Sequence, residues 1–181
     1  MASLRKVVVC ELLSLDGVAE NPNVFFTEWD DEADAAGSDW IATQDAVILG
    51  RHSYDEWVGF WPDSAIEPFA TFINTAPKYV VTSAPLDPDW ANASAIEGGL
   101  VDFVRDLKNQ PGGDIGVHGS ISVAQALLAA GLVDELKVVI APAIASTGRT
   151  LFDGLPPIRL ALIRSVISSM GYLVLDYRVL P

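Results

Sequence analysis

Asp114-Ile115-Gly116-Val117-His118-Gly119-Ser120 opens the stretch that decides the fold. An alanine-rich segment follows, then Gly131-Leu132-Val133-Asp134-Glu135-Leu136, a second apolar run and Thr147-Gly148-Arg149-Thr150-Leu151-Phe152. Ile115 to Val117 is a short apolar strand that runs through the turn His118-Gly119-Ser120 into a helix. Gly131 stands where that helix ends, and Leu136 to Ala141 returns to strand character. This order leaves free backbone N–H groups at a helix start, just past the carboxyl end of a strand. In open α/β sheets phosphate-bearing ligands bind there, because a helix N-terminus carries partial positive charge.

Outward from this unit, Lys6 to Leu13 reads as a buried strand broken by Ser14-Leu15-Asp16-Gly17. Glu28 to Thr43 has helical spacing and an acidic face (Glu28, Asp30, Asp31, Glu32, Asp34). Ala46 to Leu49 is a strand stopped by Gly50, Arg51 to Trp57 a helical turn or two, and Ile66 to Asn74 a short helix. Lys78 to Thr82 is a third strand, and Leu100 to Asn109 an amphipathic helix with Leu100, Phe103, Val104 and Leu107 on one side. Ser122-Val-Ala-Gln125 has the pattern of a capping box. Arg159–Ile167 and Tyr172–Val179 flank Ser168-Ser169-Met170-Gly171 and predict an antiparallel hairpin. Alternating strands and helices predict a mostly parallel central sheet with helices on both faces and a C-terminal antiparallel hairpin. The expectation is one α/β domain over residues 1–181.

Composition narrows the function. Half of the 181 residues are hydrophobic and 19% are charged, which excludes disorder. No apolar run is long enough to span a bilayer. Arg5-Lys6 before Val7-Val8-Val9-Cys10 mimics a signal peptide, but Glu11 interrupts it and no small-residue cleavage site follows, so a first strand is the reading. One cysteine and two histidines leave no disulfide framework and no Cys/His metal site, and a cytoplasmic location fits. A net charge of −13 argues against nucleic-acid partners. A bound phosphate then depends on local donors, so each cation matters individually.

Three strand ends are built alike, namely Leu49-Gly50-Arg51-His52-Ser53, Val81-Thr82-Ser83 and Val117-His118-Gly119-Ser120. Together they line one crevice, with Arg51 and the hydroxyls of Ser53, Thr82 and Ser83 for an adenosine-side phosphate. The amides near Ser120 suit a pyrophosphate. Taken singly, N-capping explains Gly119-Ser120 and a surface ion pair explains Arg51. Neither G-x-G-x-x-G nor G-x-x-x-x-G-K-[ST] occurs, which excludes the usual Rossmann and P-loop readings.

The ordered set Ser14-Leu15-Asp16-Gly17, Leu49-Gly50-Arg51-x-x-Tyr54-x-x-Trp57, Lys78 to Ser83, His118-Gly119-Ser120, Gly131 to Leu136, Pro142 and Gly148-Arg149-x-Leu151-Phe152 resembles the dihydrofolate reductase superfamily. Within it the chain is most similar to the reductase domain of the bifunctional riboflavin-biosynthesis deaminase/reductase and its stand-alone relatives. The likeness runs from about Lys6 to Tyr177. It implies the three-layer α/β fold of that superfamily and NADPH-dependent hydride transfer to a pteridine-like or pyrimidine-like heterocycle or its ring-opened derivative. Gly50, Arg51, Ser53, Thr82 and Ser83 then take the adenosine side, and His118, Gly119, Ser120 and Ile121 the pyrophosphate.

The same likeness sets Ser14 to Val18, including Gly17, beside nicotinamide and substrate. Asp16 matches the motif aspartate beside the reacting carbon and is the catalytic candidate. It reads equally as a turn aspartate beside a glycine of unusual φ. Of the aromatic set Phe25, Phe26, Trp29, Trp57, Phe60 and Trp61, Trp57 reads as core, while Trp29 and Trp61 read as substrate walls.

The pattern also departs from the family. Gly119 is a lone glycine where relatives often carry a pair, and Ala145-Ser146-Thr147-Gly148 keeps only the second glycine of its loop. The acidic helix does not match the substrate helix of dihydrofolate reductases residue by residue, so folate reduction is not implied. A homodimer through the edge strands and the hairpin is expected by resemblance. The alternatives are a non-catalytic dimeric nucleotide-binding module on the same fold and a phosphosugar-binding enzyme.

Overall fold

The computed structural model describes residues 5–181; residues 1–4, included above in the domain 1–181, lie outside the described residues. Among the described residues eight strands form one sheet. In chain order they are β1 (Val7–Leu13), β2 (Gln44–Gly50), β3 (Lys78–Val81), β4 (Ala93–Ala95), β5 (Asp114–His118), β6 (Glu135–Ile140), β7 (Leu160–Ile167) and β8 (Leu173–Val179). Across the sheet the order is β4-β3-β2-β5-β1-β6-β8-β7. The first six strands named in that order run parallel, so their carboxyl ends share one edge. β8 is antiparallel to β6 and to β7, as expected of the hairpin.

The helices are α1 (Asp31–Ile41), α2 (Arg51–Trp57), α3 (Phe69–Thr75), α4 (Leu100–Lys108) and α5 (Ile121–Ala129). Val7, Val9 and Leu13 of β1 pack with α4 and α5, whereas Val8 and Cys10 pack with α1. Val47 and Leu49 of β2 meet Tyr54 of α2 and Ile73 of α3. A strand covered on both faces needs a continuous apolar run rather than an alternating one, which is what Val7 to Cys10 supplies.

Several local expectations are corrected. α1 starts at Asp31 rather than Glu28, because Asp30 accepts a hydrogen bond from Ala33 N–H and caps the helix. β4 has no signature in the sequence, since three residues of Ala-Ser-Ala carry no periodicity. The capping box does not form. α5 begins at Ile121, with Ser120 at the cap position and its hydroxyl engaged elsewhere. The helix end is as expected: Gly131 adopts φ +64° and Leu132 N–H returns to Leu127 O.

Candidate active site

The parallel sheet brings the ends of β1, β2, β3, β5 and β6 to one edge, and hydrogen bonds lock two of the connecting turns together. Ser120 Oγ accepts from Gly50 N–H at 2.9 Å and donates to Ser53 Oγ at 2.9 Å. Ser53 Oγ in turn donates to Gly119 O at 2.7 Å. Ser53 and Ser120 are buried. Gly50 and Ser53, expected on the adenosine side, and Gly119 and Ser120, expected at the pyrophosphate, form one knot between the start of α2 and the start of α5. Gly119 has φ +58°, and a Cβ there would stand 3.0 Å from the Trp57 ring. Both constraints call for glycine at this turn. Ile121 opens α5 and packs half-buried against the core of that face.

Arg51 and Thr82 also meet. The Arg51 guanidinium donates to Asp55 at 2.7 Å, Pro85 O at 2.9 Å and Thr82 Oγ1 at 3.4 Å. Thr82 Oγ1 accepts from Ala84 N–H, and Ser83 lies exposed beside it. This corner joins the ends of β2 and β3, next to the α2–α5 knot.

The imidazole of His118 is not in the crevice. It is buried, within 2.8 Å of Gln44 Oε1 and edge-on to Phe69 and Phe72. Burial pushes it down to about 4, so it is neutral and fills core space. Only the backbone of His118 is left to a ligand.

Both carboxylate oxygens of Asp16 are engaged within the turn and the loop beside it. Its Oδ1 accepts from Ser14 Oγ at 2.7 Å and from Ala145 N–H at 2.9 Å, and its Oδ2 from Ser146 N–H at 2.9 Å. The Ser14 hydroxyl and the two loop amides hold the carboxyl down to about 2. So held, Asp16 is ionised near neutral pH. Ser14 is likewise spent: its hydroxyl donates to Asp16 and accepts from Val18 N–H, and the residue is buried. Gly17 has φ +83° and accepts from Leu151 N–H, tying the same turn to the 141–152 segment.

The two tryptophans proposed as walls stand in separate clusters. Trp29 packs with Phe26 and Tyr172, while Trp61 packs with Trp57, Phe60 and Phe69. Tyr54 is the fully buried aromatic of α2, bonded to Pro88 O and lying near Trp90. Trp57 is half-buried and closes on Gly119.

A cleft of about 450 Å³ opens past the ends of β1 and β6, lined by Glu20, Val24, Phe25, Ala143, Ile144 and Gly148 among others. Sequence reasoning missed Glu20 and Arg149. Glu20 accepts from Arg149 N–H, and the Arg149 guanidinium donates to Ser122 Oγ in the first turn of α5. The Gly148-Arg149 motif was the available signal, but nothing local tied it to the helix start. Among the described residues no group of three or more His, Cys, Asp or Glu is arranged to hold a metal, and no helix is long and apolar enough to cross a membrane.

Known proteins share this fold. The family described as the RibD C-terminal domain matches residues 5–174. The chain belongs to that family. Among its relatives, the uncharacterised protein YyaP of Bacillus subtilis is 26% identical over 178 residues, covering 96% of this chain and 94% of its own. A pyrimidine reductase-like protein of Corynebacterium diphtheriae has the same fold, with TM-score 0.70, 15% identity and coverage of 98% and 92%. So does a diaminohydroxyphosphoribosylaminopyrimidine deaminase/5-amino-6-(5-phosphoribosylamino)uracil reductase of Thermotoga maritima, with TM-score 0.69 and 14% identity, where the match covers 98% of this chain and 57% of that one. Membership of the RibD C-terminal domain family supports a reductase role for this chain.

Proposed function

We propose that this RibD C-terminal domain protein is an NADPH-dependent reductase acting on a small heterocycle of the pteridine or pyrimidine type. The observation that carries the reading is the knot of Gly50, Ser53, Gly119 and Ser120 at the start of α5, flanked by the Arg51–Thr82 corner. The residues suit a dinucleotide. First-turn amides of α5, unpartnered within the helix, receive the pyrophosphate. Arg51, with Thr82 and Ser83, receives the 2′-phosphate. When bound, reduced nicotinamide supplies the hydride. Asp16 clamps the 143–148 loop over the end of β1, and the cleft bordered by Phe25 and Ile144 takes the heterocycle.

Titration with NADPH and with NADH, followed by nicotinamide fluorescence and thermal stabilisation, tests this. Saturable binding that prefers NADPH supports the reading; a folded protein that binds neither overturns it. One observation favours a second reading, a non-catalytic nucleotide-binding module: both Asp16 oxygens are committed to the loop. Turnover of NADPH with any acceptor excludes it.

We further propose a homodimer through β7. That strand is an edge of the sheet, and Leu162, Ile163 and Ile167 on it are 58%, 48% and 77% exposed. Leu160 continues the apolar surface into a cleft of about 430 Å³ with Phe152, Leu155 and Ile158. Unpaired backbone next to exposed apolar side chains favours pairing with a second copy.

A further inference from the structure

Glu11 on β1 is a carboxyl group in an unusual place. It is 3% exposed, its Oε1 has no hydrogen-bond partner, and it lies within reach of the Ser120 backbone N–H. Like Val7, Val9 and Leu13, it sits at an odd position of β1, on the face covered by α4 and α5. The carboxyl therefore stands at the N-terminus of α5, a helix of nine residues. A ligand anion at that terminus and a Glu11 carboxylate would compete for the same N–H dipoles and repel each other in a poorly solvated space.

The neighbouring charges do not neutralise it. α5 carries no titratable side chain. On β6, Glu135 and Lys137 are in register with Val8 and Cys10, and on β5 His118 is in register with Cys10, with Asp114 at the same alternation. These groups belong to the opposite face. On α4, Asp102 pairs with Arg105, Lys108 pairs with Asp134, and Asp106 is exposed. In the 141–159 segment, Arg149 is engaged by Ser122, and Asp153 and Arg159 are exposed. Burial, opposed only by the Ser120 N–H, pushes Glu11 up to about 8, so at neutral pH it is mainly the neutral acid.

We propose that Glu11 makes nucleotide binding at the α5 N-terminus proton-linked: the neutral acid admits a ligand pyrophosphate, and the carboxylate excludes it. Glu11 is thus a positioning residue of the anion site, and the proposal rests on the nucleotide-binding reading above. A bound anion holds the proton on Glu11 more tightly, so binding takes up a proton and weakens as pH rises. If only the neutral form binds, one proton titrating at about 8 raises the Kd for NADPH about tenfold between pH 7 and pH 9.

The test titrates NADPH into the full chain and into Glu11→Gln at both pH values by nicotinamide fluorescence. Calorimetry at pH 8 in two buffers of different ionisation enthalpy counts the protons taken up. The wild type is expected to lose about tenfold in affinity between pH 7 and pH 9 and to take up about half a proton at pH 8, where half of Glu11 is already protonated, whereas Glu11→Gln keeps its Kd within about twofold and takes up none. Lys78, which burial pulls down to about 8, titrates in both proteins, so the difference between them belongs to Glu11. Glu11→Leu replaces the amide variant if that one fails to fold. NADPH binding with equal pH dependence in wild type and variant overturns the proposal and leaves the reductase reading standing. Absence of NADPH binding at either pH overturns both.

Discussion

Asp16 illustrates how a single carboxylate ties a turn to a distant loop. Its two oxygens accept one hydroxyl and two amide hydrogens, and those donors favour the ionised form. The folded value, about 2, lies below the ordinary carboxylate value, so its contribution to stability is complete above about pH 4 and is lost as pH falls through about 2. Thermal unfolding of wild type and Asp16→Asn should therefore differ at pH 6 and converge toward pH 2. Hydrogen exchange at Ala145 and Ser146 should accelerate in Asp16→Ala, because those amides lose their acceptor. Arg51 is a candidate cation held at the ends of β2 and β3 by Asp55, Thr82 and Pro85. Arg51→Ala should weaken NADPH by about 1.5–3 kcal/mol, the scale of a charge-assisted hydrogen bond, with NADH nearly unchanged. Equal loss for both cofactors would assign Arg51 to the 82–85 turn alone.

At the scale of elements, the start of α5 joins the two halves of the site. Ser120 does not cap its own helix; its hydroxyl crosses to Gly50 and Ser53 and so sets the distance between the α2 and α5 turns. Ser120→Ala leaves a partly buried Gly50 N–H without its acceptor and frees Ser53, which should cost about 1–2 kcal/mol in a denaturant titration. Cofactor affinity should fall with it, since the strand-end turns would no longer be held in register. Replacing the nearby Ser122 removes only the acceptor of Arg149, exposed at the helix start, and should leave stability within about 0.5 kcal/mol.

For the molecule as a whole, the exposed edge is the unfinished feature. β7 pairs on one side only, and its burial pattern is exposed at five of eight positions. Leu162→Lys together with Ile167→Lys places charge in that row and should convert the proposed dimer to monomers in sedimentation velocity, with the far-ultraviolet dichroism unchanged. A wild-type protein that sediments as a monomer at micromolar concentration would remove the interface.

The parallel sheet with its terminal hairpin, the strand-end turns and the family were legible in the residues themselves. Apolar runs, glycine stops and the order of short motifs are local properties, and local sterics and burial decide them. The sequence by itself therefore determined the helices, to within a few residues at their ends, and every strand but β4, and that Gly50, Arg51, Thr82, Gly119 and Ser120 stand at strand ends. Only the tertiary structure decided what each of those side chains touches. His118 was turned inward by packing against Phe69 and Phe72, Asp16 was claimed by amides about 130 residues away along the chain, and Glu11 was enclosed beneath a helix start. Those outcomes depend on which groups meet across the sheet, and hydrogen bonding and desolvation act through space rather than along the sequence.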